Sequence, residues 1–475
     1  MMSAVALLVA AGMIILSGSS QGWAADRAAG IYAGAAERDI SPPLGMEITH
    51  PVRKNVGIHD PLFVRVLVLE DAQKTSVAII TADLLCASFS ATDELRQRVK
   101  QQTGVSEVWF NCSHTHASRW LLPASVAKRA RTDQTDWDEA ADMAMAETPE
   151  TRHWNAMVHQ AALEIVVEAK EKLVPAILRS GRAKAQVGFN RRLTRPDGHV
   201  TMAVNREGPV VPWVNVLVAE SREAKKPIAV LFEHPAHPVS VPDGSRLVSA
   251  DFPGAAVARI RDELGKDVIA MYGQGCNGNI NCYPLRQTHE LADAAGRKLG
   301  EAALLAIRQS EPIKATTLAL RTVKTELPSQ PLPSPPMITD LMQKNVQHPQ
   351  RMKQLRKIAA MRESGGMPPP RRFDVSSVRL GDEWCLMGMP YELFCDYELW
   401  IDQHAPFRGK MVLGLTNGGR AYIGTDQAWA MGANGGYEAG SLPNWGGHET
   451  MSPNLGPPAI GSEGIIKRAF ASAWR

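Results

Sequence analysis

Nine apolar, β-type runs of five to seven residues alternate with seven stretches of helical periodicity, and this alternation narrows the fold more than any other feature of the chain. The runs fall at 63–69, 76–81, 107–111, 214–219, 228–232, 267–272, 315–320, 375–380 and 411–415. The helical stretches fall at 91–102, 154–172, 252–264, 289–309, 338–363, 392–404 and 464–473. Strands interleaved with helices predict an α/β architecture, a mixed β-sheet core flanked by helices. Two regions break the pattern and read as insertions. Residues 122–150 are rich in Asp, Glu and Ala, and residues 327–370 begin with a connector holding five prolines in ten residues, followed by a basic helix. The prolines remove backbone donors, so neither a helix nor a central strand can run through them.

The chemistry-bearing residues sit behind two of the predicted strands. Asn111-Cys112-Ser113-His114-Thr115-His116-Ala117-Ser118 follows Val108-Trp109-Phe110, and Glu233-His234-Pro235-Ala236-His237-Pro238-Val239-Ser240 follows Ile228-Ala229-Val230-Leu231. On a strand, residues two apart share a face, so His114 and His116 are expected to reach one ion or one substrate. Imidazole is also the commonest protein ligand for zinc. Four of the 13 histidines fall in these two segments. Such clustering behind buried strands points to a metal site more than to a solvated surface.

The 475 residues suffice for two to three domains or one large α/β domain with insertions. A net charge of +3 without a basic tract excludes nucleic acid as a partner and leaves small molecules or a lipid. Residues 1–24 read as a secretory signal: a short apolar run over 4–16, a Ser/Gly break, then small residues at 22 and 24 before cleavage. The run is too short to span a bilayer, so the mature chain, from about residue 30, is expected to be exported, periplasmic or secreted, without a transmembrane segment. Six cysteines allow one or two bridges in an oxidising compartment, and no C-x-x-C pair offers a thiolate zinc site.

Four segments in order, Gly57-Ile58-His59-Asp60-Pro61-Leu62, Asn111 to Ser118, His237-Pro238-Val239-Ser240 and Tyr422-Ile423-Gly424-Thr425, resemble the neutral, non-lysosomal ceramidases. The likeness spans about residues 32–441 and implies one large ceramidase-like catalytic domain over 30–475. It also implies a Zn2+ ion held by two His, one Glu and one Tyr. Those ligands map to His114, His237 in preference to His234, Glu392 within Met389-Pro390-Tyr391-Glu392, and Tyr422. His116 resembles an active-site histidine beside the metal, Arg191 in Asn190-Arg191 a residue near the substrate's polar head, and Tyr437 a tyrosine facing the scissile carbonyl. The implied activity is hydrolysis of an N-acyl amide, ceramide to sphingoid base and fatty acid.

Two departures stand against a simple transfer. Ceramidases carry Gly-Asp-x-Ser-Pro where this chain has Gly278-Asn279-Ile280-Asn281-Cys282, and an amide cannot act as an alkoxide nucleophile. A covalent mechanism at that position is excluded, whereas a zinc-water mechanism survives, with Asn281 as an amide donor to a polar substrate. The chain also ends at Arg475, where ceramidases continue into a small β-sandwich domain. These departures keep two alternatives open: a zinc hydrolase of a polar amide, ester or glycan, with Trp429 or Trp445 stacking on sugar, and a non-catalytic binding protein with structural zinc.

Overall fold

The computed structural model describes residues 29–48, 53–124, 148–347, 349–419, 421–439 and 457–475. The leader at 1–24, most of the 122–150 insertion and Trp445 lie outside them.

Eight strands build the main sheet: β1 (Ile31–Asp39), β2 (Phe63–Asp71), β3 (Ser76–Ala82), β4 (Glu107–Cys112), β5 (Val174–Lys184), β6 (Trp213–Ser221), β7 (Pro227–His234) and β8 (Ile269–Gln274). Their order is β8-β7-β6-β5-β1-β2-β3-β4, and the short strand Glu311–Pro312 adds a ninth beside β5. The sheet is mixed, as expected. Helix α1 (Phe89–Thr103) joins the parallel pair β3/β4, and α3 (Asp251–Leu264) joins β7/β8.

Residue parity sorts the core into two layers. Val64, Val66 and Val68 of β2, Val108 and Phe110 of β4, and Ala78 and Ile80 of β3 pack with α1 and α2 (Pro149–Glu171). Val214, Val216, Val230, Phe232 and Tyr272 pack with α3 and α4 (His289–Arg308). The alternate residues Leu67, Leu69, Val77, Ile79, Trp109, Leu217, Leu231 and Met271 face the other way, against Val378, Leu380, Leu386, Met411 and Leu413 of a four-stranded second sheet. Both faces are covered, which is why these strands read as nearly continuous apolar runs rather than as alternating ones.

Three differences from the sequence reading have local causes. The helix expected over 338–363 is two helices, Pro335–Lys344 and Pro349–Glu363. Pro349 lacks an N–H and opens the second helix, the position where proline is tolerated. The helix expected over 392–404 begins only at Cys395, because Glu392–Leu393 is a short strand parallel to Tyr422–Ile423. Strands β1 and β5 escape notice because glycine interrupts each. A Cβ on Gly34 would lie 2.0 Å from the Ala169 carbonyl oxygen of α2, and one on Gly181 would lie 2.1 Å from the Ala306 oxygen of α4. Glycine there lets each helix backbone approach its strand.

Asn111 pins the sheet's edges together. Its Oδ1 accepts from Gln274 N of β8 at 3.0 Å, and its Nδ2 donates to Gly414 O at 2.6 Å and Thr416 Oγ1 at 3.2 Å. Asn111→Leu strands these buried groups, so we expect a loss of about 2–4 kcal/mol in urea unfolding. An unchanged midpoint would show that the edges meet without it. All six cysteines are buried, and no two of them are joined in a disulfide. Among the described residues no helix is long and apolar enough to cross a membrane.

Candidate metal centre

Four strand ends deliver the site. β4 stops at Cys112, so His114 and His116 lie in the loop beyond it rather than on one face of a strand as expected. A left-handed backbone at His114, φ +69°, turns its ring toward the end of β7. His237 follows β7 by three residues, and its backbone forms a bridge with Asn281. Glu392 and Tyr422 are direct cross-strand partners in the parallel pair Glu392–Leu393/Tyr422–Ile423, so a single register sets both side chains on one face. Left-handed Tyr391, Leu415 and Asn417 surround this seam. Non-glycine residues hold such backbone only where surrounding structure over-determines it.

The four residues His114, His237, Glu392 and Tyr422 converge. The ring centroid of His114 lies 4.9 Å from that of His237 and 5.0 Å from that of His116, and one ring nitrogen from each of the three lies within 4.8 Å of the others, close enough to share a metal ion. Glu392 Oε2 stands 2.8 Å from His237 Nε2 and 3.3 Å from His114 Nε2. Tyr422 is 6.3 Å from His237 between ring centroids, and Tyr437 packs edge-on against Tyr422 at 5.6 Å. His234, the local alternative, donates Nδ1 to Trp213 O at 2.8 Å and stays outside the cluster.

Hydrogen bonding on the far side of each ring decides what the near side can do. His114 Nδ1 meets Leu85 O at 2.6 Å, and His237 Nδ1 meets Asn277 O at 2.8 Å and Ile280 O at 2.9 Å. A carbonyl can only accept, so Nδ1 carries the proton and Nε2 presents a lone pair in each neutral ring. Burial, with Arg191 nearby, pushes His237 down to about 4, which keeps it neutral at pH 7. Two imidazole lone pairs and a carboxylate oxygen thus aim at one another, an arrangement that a divalent cation satisfies, with each histidine oriented by a backbone carbonyl.

The first motif of the sequence acts one layer out. Asp60 accepts from Ser249 Oγ at 2.7 Å and Ala250 N at 2.6 Å, and Ser249 O accepts from Thr115 Oγ1 at 2.7 Å, which holds the residue between His114 and His116. Asp251 Oδ2 similarly accepts from Ser240 N at 2.9 Å and Val241 N at 3.1 Å, fixing the His237-Pro238-Val239-Ser240 turn.

Arg191 is the centre of a buried network. Its Nε donates to Glu438 Oε1 at 2.7 Å, its Nη1 to Asn281 Oδ1 at 2.9 Å and its Nη2 to Gly278 O at 2.8 Å. The guanidinium carbon lies 5.2 Å from the Tyr422 ring and 5.8 Å from the Tyr437 ring. Burial opposes the charge, but Tyr422, Glu438 and Glu392 raise the guanidinium's pKa above its ordinary value. Asn281 turns its oxygen to Arg191, leaving Nδ2 as its remaining donor. Glu438, to which the sequence reading assigned no role, also takes Arg192 Nη1 at 2.7 Å. Trp429 is buried and donates Nε1 to Gly424 O at 3.1 Å, so it is a core residue and no sugar platform.

A buried acidic pair, Glu233 and Glu398, lies behind the site. Glu233 Oε2 accepts from Asn215 Nδ2 at 2.8 Å and Glu398 Oε2 from Cys276 N at 3.1 Å, with both carboxyls against Gly275. Burial pushes Glu233 up to about 8 and, with the charge of Glu233, lifts Glu398 well above the carboxylate range. Folded pKa values above the unfolded ones mean that the native state holds extra protons. This contribution is fully present below the unfolded value near 4.5 and is lost as pH rises toward about 8. The double variant Glu233→Gln/Glu398→Gln is expected to flatten the decline in urea midpoint between pH 5 and 8. Parallel wild-type and variant profiles across that window would remove the pair from the account.

The architecture that places these residues is that of neutral ceramidases. Two solved structures match most of the chain. A ceramidase complexed with C2 superposes with a TM-score of 0.66 at 16% identity, covering 93% of this chain and 74% of that one. The neutral ceramidase from Pseudomonas aeruginosa superposes at 0.64 and 16% identity, covering 94% and 74%. No protein-family model and no curated protein sequence matches the chain.

Proposed function

We propose that the chain is a zinc-dependent amidohydrolase that cleaves an N-acyl amide of the ceramide type. The observation that carries this reading is the convergence of His114 Nε2, His237 Nε2 and Glu392 Oε2, with both Nδ1 protons committed to carbonyls. Tyr422 is the fourth, weaker ligand, since four strong ligands would close a tetrahedral site. Bound there, zinc supplies Lewis acidity for an amide carbonyl and lowers the pKa of water toward ~7.

The remaining roles belong to the chain. His116, half-buried and 6.1 Å from His237 between centroids, takes the proton from water and passes it to the departing amine. Tyr437 donates to the developing oxyanion. With its donors engaged, Arg191 acts on substrate indirectly, holding Tyr422 and Asn281 in place while Asn281 Nδ2 faces the substrate's polar group. The apolar leader at 1–24 directs the enzyme to the periplasm or the medium.

A second reading, a polar amide, ester or glycan fragment as substrate, is favoured by Asn279 and Asn281 in the segment where ceramidases carry Asp and Ser. Metal analysis of the purified chain, followed by chelator-sensitive release of fatty acid from a short-chain labelled ceramide, separates the readings. About one zinc per chain with turnover supports the amidase. Zinc without ceramide turnover moves the substrate to the polar class, zinc without turnover of any amide or ester leaves a binding protein, and protein without zinc removes the proposal.

A further inference from the structure

Three residues beyond His116, Arg119 runs away from the metal centre toward the start of α2. The residue is 6% exposed, yet among the described residues its side chain makes one hydrogen bond, from Nη2 to Thr151 Oγ1 at 3.0 Å. Nε and Nη1 have no partner among the described residues. Thr151 stands in the first turn of the 23-residue helix α2, capped by Thr148, and the guanidinium carbon lies 5.6 Å from the ring of Trp154 one turn on.

That placement sets a cation at the positive end of a long helix dipole, where an anion is favoured. Guanidinium stays charged in proteins, so the site does not relieve itself by losing a proton. Burial does pull its pKa down, to about 10, with Glu47 opposing. Glu47 and the first-turn Glu150 are both exposed and neither bonds to it. A cavity of about 480 Å³ lined by Pro43, Pro149, Glu150, His153, Trp154 and Met157 lies beside the same helix start and is separated from Arg119 by the Trp154 ring that the guanidinium packs on.

We propose that Arg119 and the first turn of α2 form an oxyanion site, separate from the metal centre, that takes a carboxylate or a phosphate group through the Nε and Nη1 donors. Guanidinium offers either group paired N–H donors, and the helix terminus adds its dipole. The two sources share this chemistry and differ in shape and charge.

Isothermal titration of the full mature chain with acetate, and separately with inorganic phosphate, at constant ionic strength tests the site. Saturable binding of one or both is expected, weakened at least tenfold by Arg119→Lys, which keeps the charge but loses the planar fork. Acetate alone assigns a carboxylate and phosphate alone a phosphoryl group. Thr151→Val, which leaves Arg119 in place but unanchored, is expected to weaken binding several-fold and serves if the lysine variant does not fold. Absence of saturable binding to wild type, or binding that both variants leave intact and that therefore belongs to the metal centre, overturns the proposal.

Discussion

His114→Ala is expected to leave purified protein with under about a tenth of a zinc per chain and to lower amide hydrolysis on the order of a thousandfold or more. The loss follows from geometry. Without the His114 lone pair, Glu392 Oε2 faces a single imidazole, and two strong ligands with a phenol do not hold zinc against water. The change also leaves Leu85 O without its donor, a cost of about 1–3 kcal/mol that a chain of this size should survive. Circular dichroism checks that survival, and zinc content and turnover are read on the same sample. His116→Ala is the matched control, expected to keep its zinc while turnover falls ~10²–10⁴-fold, the range for a lost general acid or base. Full zinc in His114→Ala sinks the ligand assignment. Zinc lost from His116→Ala as well would make His116 a third imidazole ligand, displacing Tyr422.

Much of this site is legible because its candidate ligands His114 and His237 follow apolar strands. The runs at 107–111 and 228–232 are strands within two residues, and the His-Thr-His and His-Pro-Val-Ser segments sit at their ends as expected. Glu392 and Tyr422 were named only through the ceramidase resemblance, because a two-residue strand pair leaves no periodic signal. The same shortness made 392–394 look like the start of the helix that begins at Cys395. Strands β1 and β5 were hidden by glycines whose purpose, close approach by α2 and α4, is a tertiary fact.

Charge partners were the least legible part. Arg191 was found, but Glu438 stands 247 residues away and only folding makes it the acceptor for Arg191 and Arg192 together. The ceramidase resemblance points to Tyr437 and carries no signal for the carboxylate next to it. The pair Glu233/Glu398 escaped for a related reason. Glu233 adjoins His234 in a histidine-rich segment, and nothing local marks it as a carboxyl that folds against Gly275 beside Glu398.

Glu438→Ala is the second large effect, and it acts on stability first. The carboxylate is buried, with Oε1 on Arg191 and Oε2 on Arg192, both at 2.7 Å. Its removal leaves Arg191, 4% exposed at the side chain, charged in an interior it cannot leave. Breaking a buried ion pair by deleting one partner costs about 3–5 kcal/mol. Arg191 would retain Asn281 and Gly278 O, which fixes the expected cost toward the lower end. Glu438→Gln, which keeps an oxygen for one arginine but not the charge, should cost less. Activity separates a structural role from a positioning one. If Arg191 sets Tyr422 and Asn281, Glu438→Gln that is folded at 25 °C should retain its zinc and lose kcat more than it gains KM. An Arg191→Lys variant should show the same split, since one ammonium cannot reach Glu438, Asn281 and Gly278 in the planar geometry that guanidinium spans. A Glu438→Ala midpoint in urea equal to wild type, with kcat intact in Glu438→Gln, would mean that the network neither holds the fold nor places Tyr422.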